Sequence, residues 1–473
     1  MFNSNVLTLT LLSIIPFISQ QAVADNIEKP SVPKNIIMVI ADGMGPAYTS
    51  AYRYFNDDPN TIIVEETVFD KHLKGLSSTY PAAISGYVTD SAAAATALAT
   101  GFKTYNNAIS VDVNKKPLLT VLELAKQQGK KTGVVVTSRI NHATPAAYLT
   151  HNEHRDNYNE IADSYIDQGI KADVYFGGGR KSFIRSDRNL VKEFQQNGFQ
   201  YIEQYEQLNS LDITNPVMGL FADYSLPWAI DDNNKHRLTP MVNAAMKHLA
   251  LPENNDNGFF MLIEGSLIDW AGHDNDIVNS LYEMDDLANT IHYLENFVAE
   301  NPDTLVIVTA DHSTGGLTLA VKEEYIWDPT VIRTMTQSPN AIAIKIVDHH
   351  KSANTLPTVS KISQWLNFSL SSDEYNQLTQ VQADYKVARA AYELLSAAEK
   401  QHLADEYKTP TFVGFYQKVL MSIIDTRSNT GWTTSGHTAI DVPVFAFGKQ
   451  SEFFNGQLDN TDIAKKIFSL LGK

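Results

Sequence analysis

An α/β fold, with a largely parallel sheet covered by helices, is what the sequence predicts, and three observations carry it. Short apolar runs rich in β-branched residues recur along the chain: Ile36 to Ile40, Val134 to Val136, Phe259 to Ile263, Leu305 to Thr309 and Val442 to Phe447. Their continuous apolar character, without alternation, suits strands buried on both faces. Helix-patterned stretches stand between them, and side chains capable of chemistry follow directly on several of their ends. In an open parallel sheet those ends share one edge, where ligands bind.

Taken in chain order, Val6 to Ile18 (VLTLTLLSIIPFI) is an apolar run of signal-peptide length, followed by the small residues of Ala22-Val23-Ala24. The expectation is a signal peptide over 1–24, cleaved after Ala24, and a periplasmic or secreted domain over 25–473. A buried N-terminal helix is the alternative, since no Lys or Arg precedes the run. No other stretch approaches the roughly 20 apolar residues of a membrane span. Pro117 to Gln128 has helical spacing and stops at Gly129, completing a βα step. From about Val321 to Asn429 buried-strand signals fade and helix-prone polar sequence takes over, including Tyr385 to Asp405. Strand-like sequence resumes at Val442, so 321–429 reads as an insertion: a lid, a dimer arm or a surface decoration.

Composition narrows the chemistry. The 473 residues are 43% hydrophobic and 19% charged, a globular balance. With 54 acidic against 37 basic residues and a net charge of −17, a nucleic-acid-binding role is not expected. Cysteine is absent, which removes disulfides, thiolate metal sites and a thiol nucleophile.

Four strand ends deliver acidic or imidazole groups: Asp42 after the first run, His142 and Thr144 after the second, Glu264 after the third, Asp311-His312 after the fourth. Each alone also reads as a turn or cap residue. Asp269 and His273, four residues apart, fall on one face of a helix. His437, flanked by small residues, is a further imidazole that reads equally as a loop residue. Oxygen and nitrogen ligands without sulfur imply zinc or magnesium. The block Ser91 to Gly101 (SAAAATALATG) is strongly helix-forming and starts with a serine. A helix N-terminus favours an anion, so Ser91 is a candidate nucleophile, activated by a nearby divalent ion. A plain N-cap serine has the same signature. Arg155 offers a guanidinium fork for phosphoryl oxygens or, equally, a surface ion pair.

Six motifs, IADGMG (40–45), TDSAAAATALATG (89–101), NHATPAAY (141–148), EGSLIDWAGHDND (264–276), TADHSTGG (309–316) and SGHTA (435–439), resemble those of the metal-dependent alkaline phosphatases in order and spacing, over Asn35 to about Gly448. The resemblance implies a three-layer sandwich, helices flanking a central, mostly parallel sheet, that hydrolyses phosphomonoesters at alkaline pH through a phosphoserine on Ser91. It implies two zinc ions and one magnesium per subunit, and a homodimer. Carried over residue by residue, Asp269, His273 and His437 hold one zinc, and Asp42, Asp311 and His312 hold the other. Asp42, Thr144 and Glu264 hold magnesium, and Arg155 clamps the phosphoryl group. His142 and Trp270 stand where the enteric-bacterial type has Asp and Lys; they resemble the choice of marine bacterial, Vibrio-type members, which also carry a long insertion. Three divalent ions and Arg155 against four carboxylates and an ionised Ser91 leave the pocket at about +2, suited to a phosphate dianion. Phosphodiesterases and sulfatases of the same superfamily are the enzymatic alternatives, although Ser91 lacks the sulfatase C/S-x-P-x-R context. A non-catalytic exported metal-binding protein is the alternative of another class.

Overall fold

A computed structural model describes Met1 and residues 32–251, 256–321, 323–400 and 409–473. Apart from Met1, the expected signal peptide lies outside the described residues. The strands are β1 (Asn35–Ala41), β2 (Leu73–Ser78), β3 (Lys131–Arg139), β4 (Val174–Gly178), β5 (Gln200–Ile202), β6 (Val217–Leu220), β7 (Phe259–Gly265), β8 (Thr304–Thr309), the two-residue β9 (Ser313–Thr314), β10 (Thr318–Leu319), β11 (Thr430–Gly431) and β12 (His437–Thr438), then β13 (Val442–Gly448) and β14 (Gly456–Asp459). Ten form one sheet in the order β14-β2-β13-β8-β1-β7-β3-β4-β6-β5. Every neighbouring pair is parallel except those of β13, which runs against both β8 and β2.

The five apolar runs are β1, β3, β7, β8 and β13, four of them at the sheet centre. Ile37, Val39, Met261, Ile263, Val306 and Val308 enter the core on one face, and Ile36, Met38, Ile40, Phe260, Leu262, Leu305 and Ile307 the core on the other. Alternate side chains of one strand therefore both meet packed helices, which is why the runs show no polar alternation. The sequence reading did not find β2, β4, β5, β6 and β14, because LKGLSS, VYFGG, QYI, VMGL and GQLD are short, glycine-bearing or polar. Strands toward a sheet margin need no unbroken apolar run.

The helix Ser91–Thr100 is wholly buried, packed against helices Ala143–Leu149 and Asn460–Leu470. Asp90, and not Ser91, is its N-cap, accepting from Ala93 N at 3.0 Å, and Gly101 ends it at φ 78°. The helix expected over Pro117 to Gln128 starts only at Val121. Thr120 caps it in a reciprocal box with Glu123, while Pro117 is bridged to Val111.

The stretch 321–429 begins and ends at the antiparallel β10–β11 ribbon. Its described helices include Pro339–Ala353, Ser372–Glu393 and Phe412–Ser428. Ile342, Ile346, Leu378, Val381, Leu420 and Ile424 join the core on one face of the sheet. Arg333 donates to the carbonyls of Phe55 (2.7 Å) and Asp57 (2.8 Å), tying this layer to the end of helix Pro46–Asn56. The helix-prone stretch Tyr385 to Asp405, of which 401–405 lie outside the described residues, is not one helix: one helix stops at Glu393, and Ser396 and Glu399 bond reciprocally, as at a new helix start. Of its apolar side chains, Val387 is 72% and Leu394 is 89% exposed, so the described residues do not cover them. Among the described residues no helix is long and apolar enough to cross a membrane.

Candidate active site

Because β8, β1, β7 and β3 are adjacent and parallel, their carboxyl ends open on one edge. Asp42 lies just beyond β1, Glu264 ends the buried run of β7, and Asp311 and His312 follow β8. His142 caps helix Ala143–Leu149, which carries Thr144 in its first turn. Asp269 and His273 lie one turn apart on helix Leu267–Asp274. His437 belongs to β12, whose pairing with β9 sets it opposite Thr314. That long-range ribbon makes His437 more than a loop residue. Gly43 allows these elements to close: its φ is +77°, and a Cβ there would stand 2.7 Å from Asp269 Cα.

Three ligand groups result, each with donor atoms within 4.8 Å of one another: Asp269, His273 and His437; Asp42, Asp311 and His312; and Asp42, His142 and Glu264. Asp42 is common to two. The third brings His142 into ligand range beside the expected Asp42 and Glu264, and Thr144 Oγ1 is buried without a hydrogen-bond partner. Both oxygens of Asp42, Glu264 Oε1 and Asp311 Oδ2 are likewise buried and unpartnered. Desolvated carboxylate oxygens of this kind need a cation or a proton.

The imidazoles make the same demand. His273 Nδ1 donates to Ser435 O (2.6 Å) and His437 Nδ1 to Thr89 O (2.8 Å), because a carbonyl only accepts. The two Nε2 atoms then face each other at 3.0 Å, a distance that two lone pairs do not tolerate without a positive charge between them. His437 also stacks on His312, with ring centroids 3.6 Å apart.

Burial, then Asp311, drives Asp42 well above the ordinary carboxylate range. Burial alone lifts Glu264 to about 7, and burial with Asp269 lifts Asp311 to about 8. Asp269 goes the other way: burial opposes its charge, but His273, His437 and His312 hold it well below the usual range. The reciprocal effect raises His273 to about 9 against its own burial. The edge is thus an acidic pocket that stabilises positive charge, and the donor set fits borderline or hard divalent ions. His273 is 40% exposed whereas Asp42, Asp311 and His312 are fully buried, so one group faces solvent.

Ser91 Oγ sits 3.1 Å from His312 Nε2, at the first turn of its helix. Arg155 is partly buried and donates to Asp90 Oδ2 (3.0 Å) and to His142 Nε2 (3.2 Å), so its partner belongs to the site and not to the surface. That donation requires a neutral His142, whose pKa burial and then Arg155 keep well below the ordinary value. Trp270 packs edge-on to His142 at 5.8 Å. Two contributors escaped the sequence reading. Asp90 both caps the Ser91 helix and holds Arg155; its place directly before a helix was legible. Thr314, whose hydroxyl donates to Asp269 Oδ1, is brought there by the β9–β12 ribbon and by bonds of its backbone to Gly43 and Tyr48.

The Alkaline phosphatase family profile matches residues 33–472. The chain belongs to the alkaline phosphatase family. Alkaline phosphatase 3 of Bacillus subtilis is 43% identical over 444 residues, covering 93% of this chain and 89% of the relative. The crystal structure of a cold-active alkaline phosphatase from a psychrophilic Shewanella superposes with a TM-score of 0.82 at 46% identity, covering 93% of this chain and all of that one. The Thermus thermophilus alkaline phosphatase gives 0.75 at 25% identity, covering 97% and 96%. The likeness to marine bacterial members read from His142 and Trp270 agrees with the Shewanella neighbour. This alkaline phosphatase is a metal-dependent phosphomonoester hydrolase.

At the crowded turn after β1, Gly43→Ala is expected to destabilise the phosphatase by about 2 kcal/mol or more, from the left-handed backbone and the clash with Asp269. Urea unfolding measures it, and the variant should also lose metal faster to a chelator.

Proposed function

We propose that the phosphatase works at alkaline pH through a phosphoserine on Ser91, with two zinc ions and one magnesium ion per subunit. Asp269, His273 and His437 would hold one zinc, Asp42, Asp311 and His312 the other, and Asp42, Thr144 and Glu264 magnesium, with His142 and Trp270 at its border. When bound, these ions supply positive charge for a serine alkoxide, the phosphoryl oxygens and the departing alkoxide, and activate water. The observation that carries the reading is Ser91 Oγ, 3.1 Å from an imidazole of a buried ligand group and at the positive end of a helix.

Ser91 Oγ gives up its proton and forms a bond to phosphorus as the ester P–O bond breaks, and the leaving alcohol takes a proton from the site. Water then attacks the same phosphorus, Oγ departs and Ser91 is reprotonated, so one water is consumed per ester. Arg155, held in place by Asp90, clamps two phosphoryl oxygens. Alkaline pH favours both the serine alkoxide and deprotonated ligands. Export is part of this reading, with residues 1–24 removed. So is a homodimer in which 321–429 reaches the partner, supported by the exposed Val387 and Leu394.

Ser91→Ala is expected to lower kcat by roughly three orders of magnitude or more with folding and metal content unchanged; near-parental turnover would remove the covalent mechanism. Chelation is expected to abolish activity and lower the melting midpoint together, as followed by calorimetry, because buried carboxylates lose their counter-charge. Excising 321–429 across the β10–β11 ribbon is expected to turn the dimer into a monomer by light scattering, since interfaces of obligate dimers often exceed about 2,000 Å². A truncated protein that binds metal and stays dimeric would refute that arm.

A further inference from the structure

Tyr148 is a buried residue that the chemistry above leaves unused. It lies one helical turn after Thr144 on helix Ala143–Leu149, so the two side chains share a face. Its ring stacks on Phe260 of β7 with centroids 6.3 Å apart, and Phe260 projects from the same face of β7 as Glu264. The residue has no exposed surface, and its hydroxyl has no hydrogen-bond partner among the described residues. A dry, unpartnered hydroxyl is costly, and native folds keep few of them.

Asp311 and Glu264 act on the phenol electrostatically: burial first, and then these carboxylates, keep it protonated. The hydroxyl is therefore a donor without an acceptor, while Glu264 Oε1 and Thr144 Oγ1 are buried and equally without a hydrogen-bond partner, and Asp311 Oδ2 has only His312 Nε2 beside it at 3.2 Å. One ordered water between them would satisfy both sides. The proposed magnesium site needs such a water on its own account. Magnesium favours six oxygens in near-octahedral order and keeps several of its waters, more than Asp42, Thr144 and Glu264 replace.

We infer that Tyr148 is a positioning residue of the third cation site: its hydroxyl holds a water that completes the magnesium shell among Asp42, Thr144 and Glu264, and so favours magnesium there. The inference rests on the reading of that site given above, and the test separates the two. Full-length protein is stripped with chelator, supplied with two equivalents of zinc and titrated with magnesium in a calorimeter, as the parent, Tyr148→Phe and Glu264→Gln. Tyr148→Phe should bind magnesium about 10- to 100-fold more weakly, the usual loss when a partner of a metal ligand is removed. Its zinc content by mass spectrometry and the melting midpoint of the stripped protein should match the parent. Parental magnesium affinity in Tyr148→Phe, with affinity lost in Glu264→Gln, overturns the role of Tyr148 alone. Parental affinity in Glu264→Gln overturns the site itself. A lower midpoint of stripped Tyr148→Phe, or an equal loss of zinc, assigns the tyrosine to packing and overturns the inference.

Discussion

Four carboxylates buried at one sheet edge are the constraint on which the rest of this structure depends. Asp42 feels the repulsion of Asp311, Asp269 and Glu264 on top of its own desolvation. Such a cluster persists only where positive charge is close, and the fold supplies it in layers: the imidazole of His273, a guanidinium at Arg155, and the N-terminus of the Ser91 helix. In the proposed reading divalent ions complete the balance, and a protein of net charge −17 would thereby present a local positive centre to a phosphate dianion.

The constraint explains why so much of the chain is rigid around the edge. β1 is in register with both neighbours, Ile40 opposite Glu264 on β7 and Thr309 on β8, so the three strand ends cannot slip relative to one another. Gly43 brings the Asp269 backbone against the turn, and the β9–β12 ribbon locks His437 over His312. Asp90 joins two tasks that would otherwise be separate, capping the helix that carries Ser91 and holding the arginine proposed to clamp the phosphoryl group.

Away from the edge the helical layer of 321–429 follows different rules. It shares the core on one sheet face through Ile342, Leu378 and Leu420 and is pinned by Arg333 to the carbonyls at the end of a neighbouring helix. On and just past its helix Ser372–Glu393, Val387 and Leu394 are left exposed by the described residues, and they are the side chains on which the proposed dimer contact rests.

How much was legible follows from the range of each interaction. The central strands, the Ser91 helix and the pairing of Asp269 with His273 depend on neighbours within a few residues, so apolar runs, alanine content and i, i+4 spacing disclosed them, and the motif order disclosed the family. The marginal strands β2, β5 and β14, the break after Glu393 and the start of the helix at Val121 were not legible, because caps, bridges and sheet edges outweighed local preference there. Sequence by itself determined the chemistry available: oxygen and nitrogen ligands without sulfur, a serine at a predicted helix start, and an arginine whose guanidinium can fork two phosphoryl oxygens. Only the tertiary structure decided that Arg155 pairs with Asp90 and His142, that Thr314 bonds Asp269 and that His437 faces His273. Those contacts span from 13 to 164 residues of chain, and the register of the parallel sheet, the β9–β12 ribbon and the bond from Arg155 N–H to Asn107 O bring their atoms together.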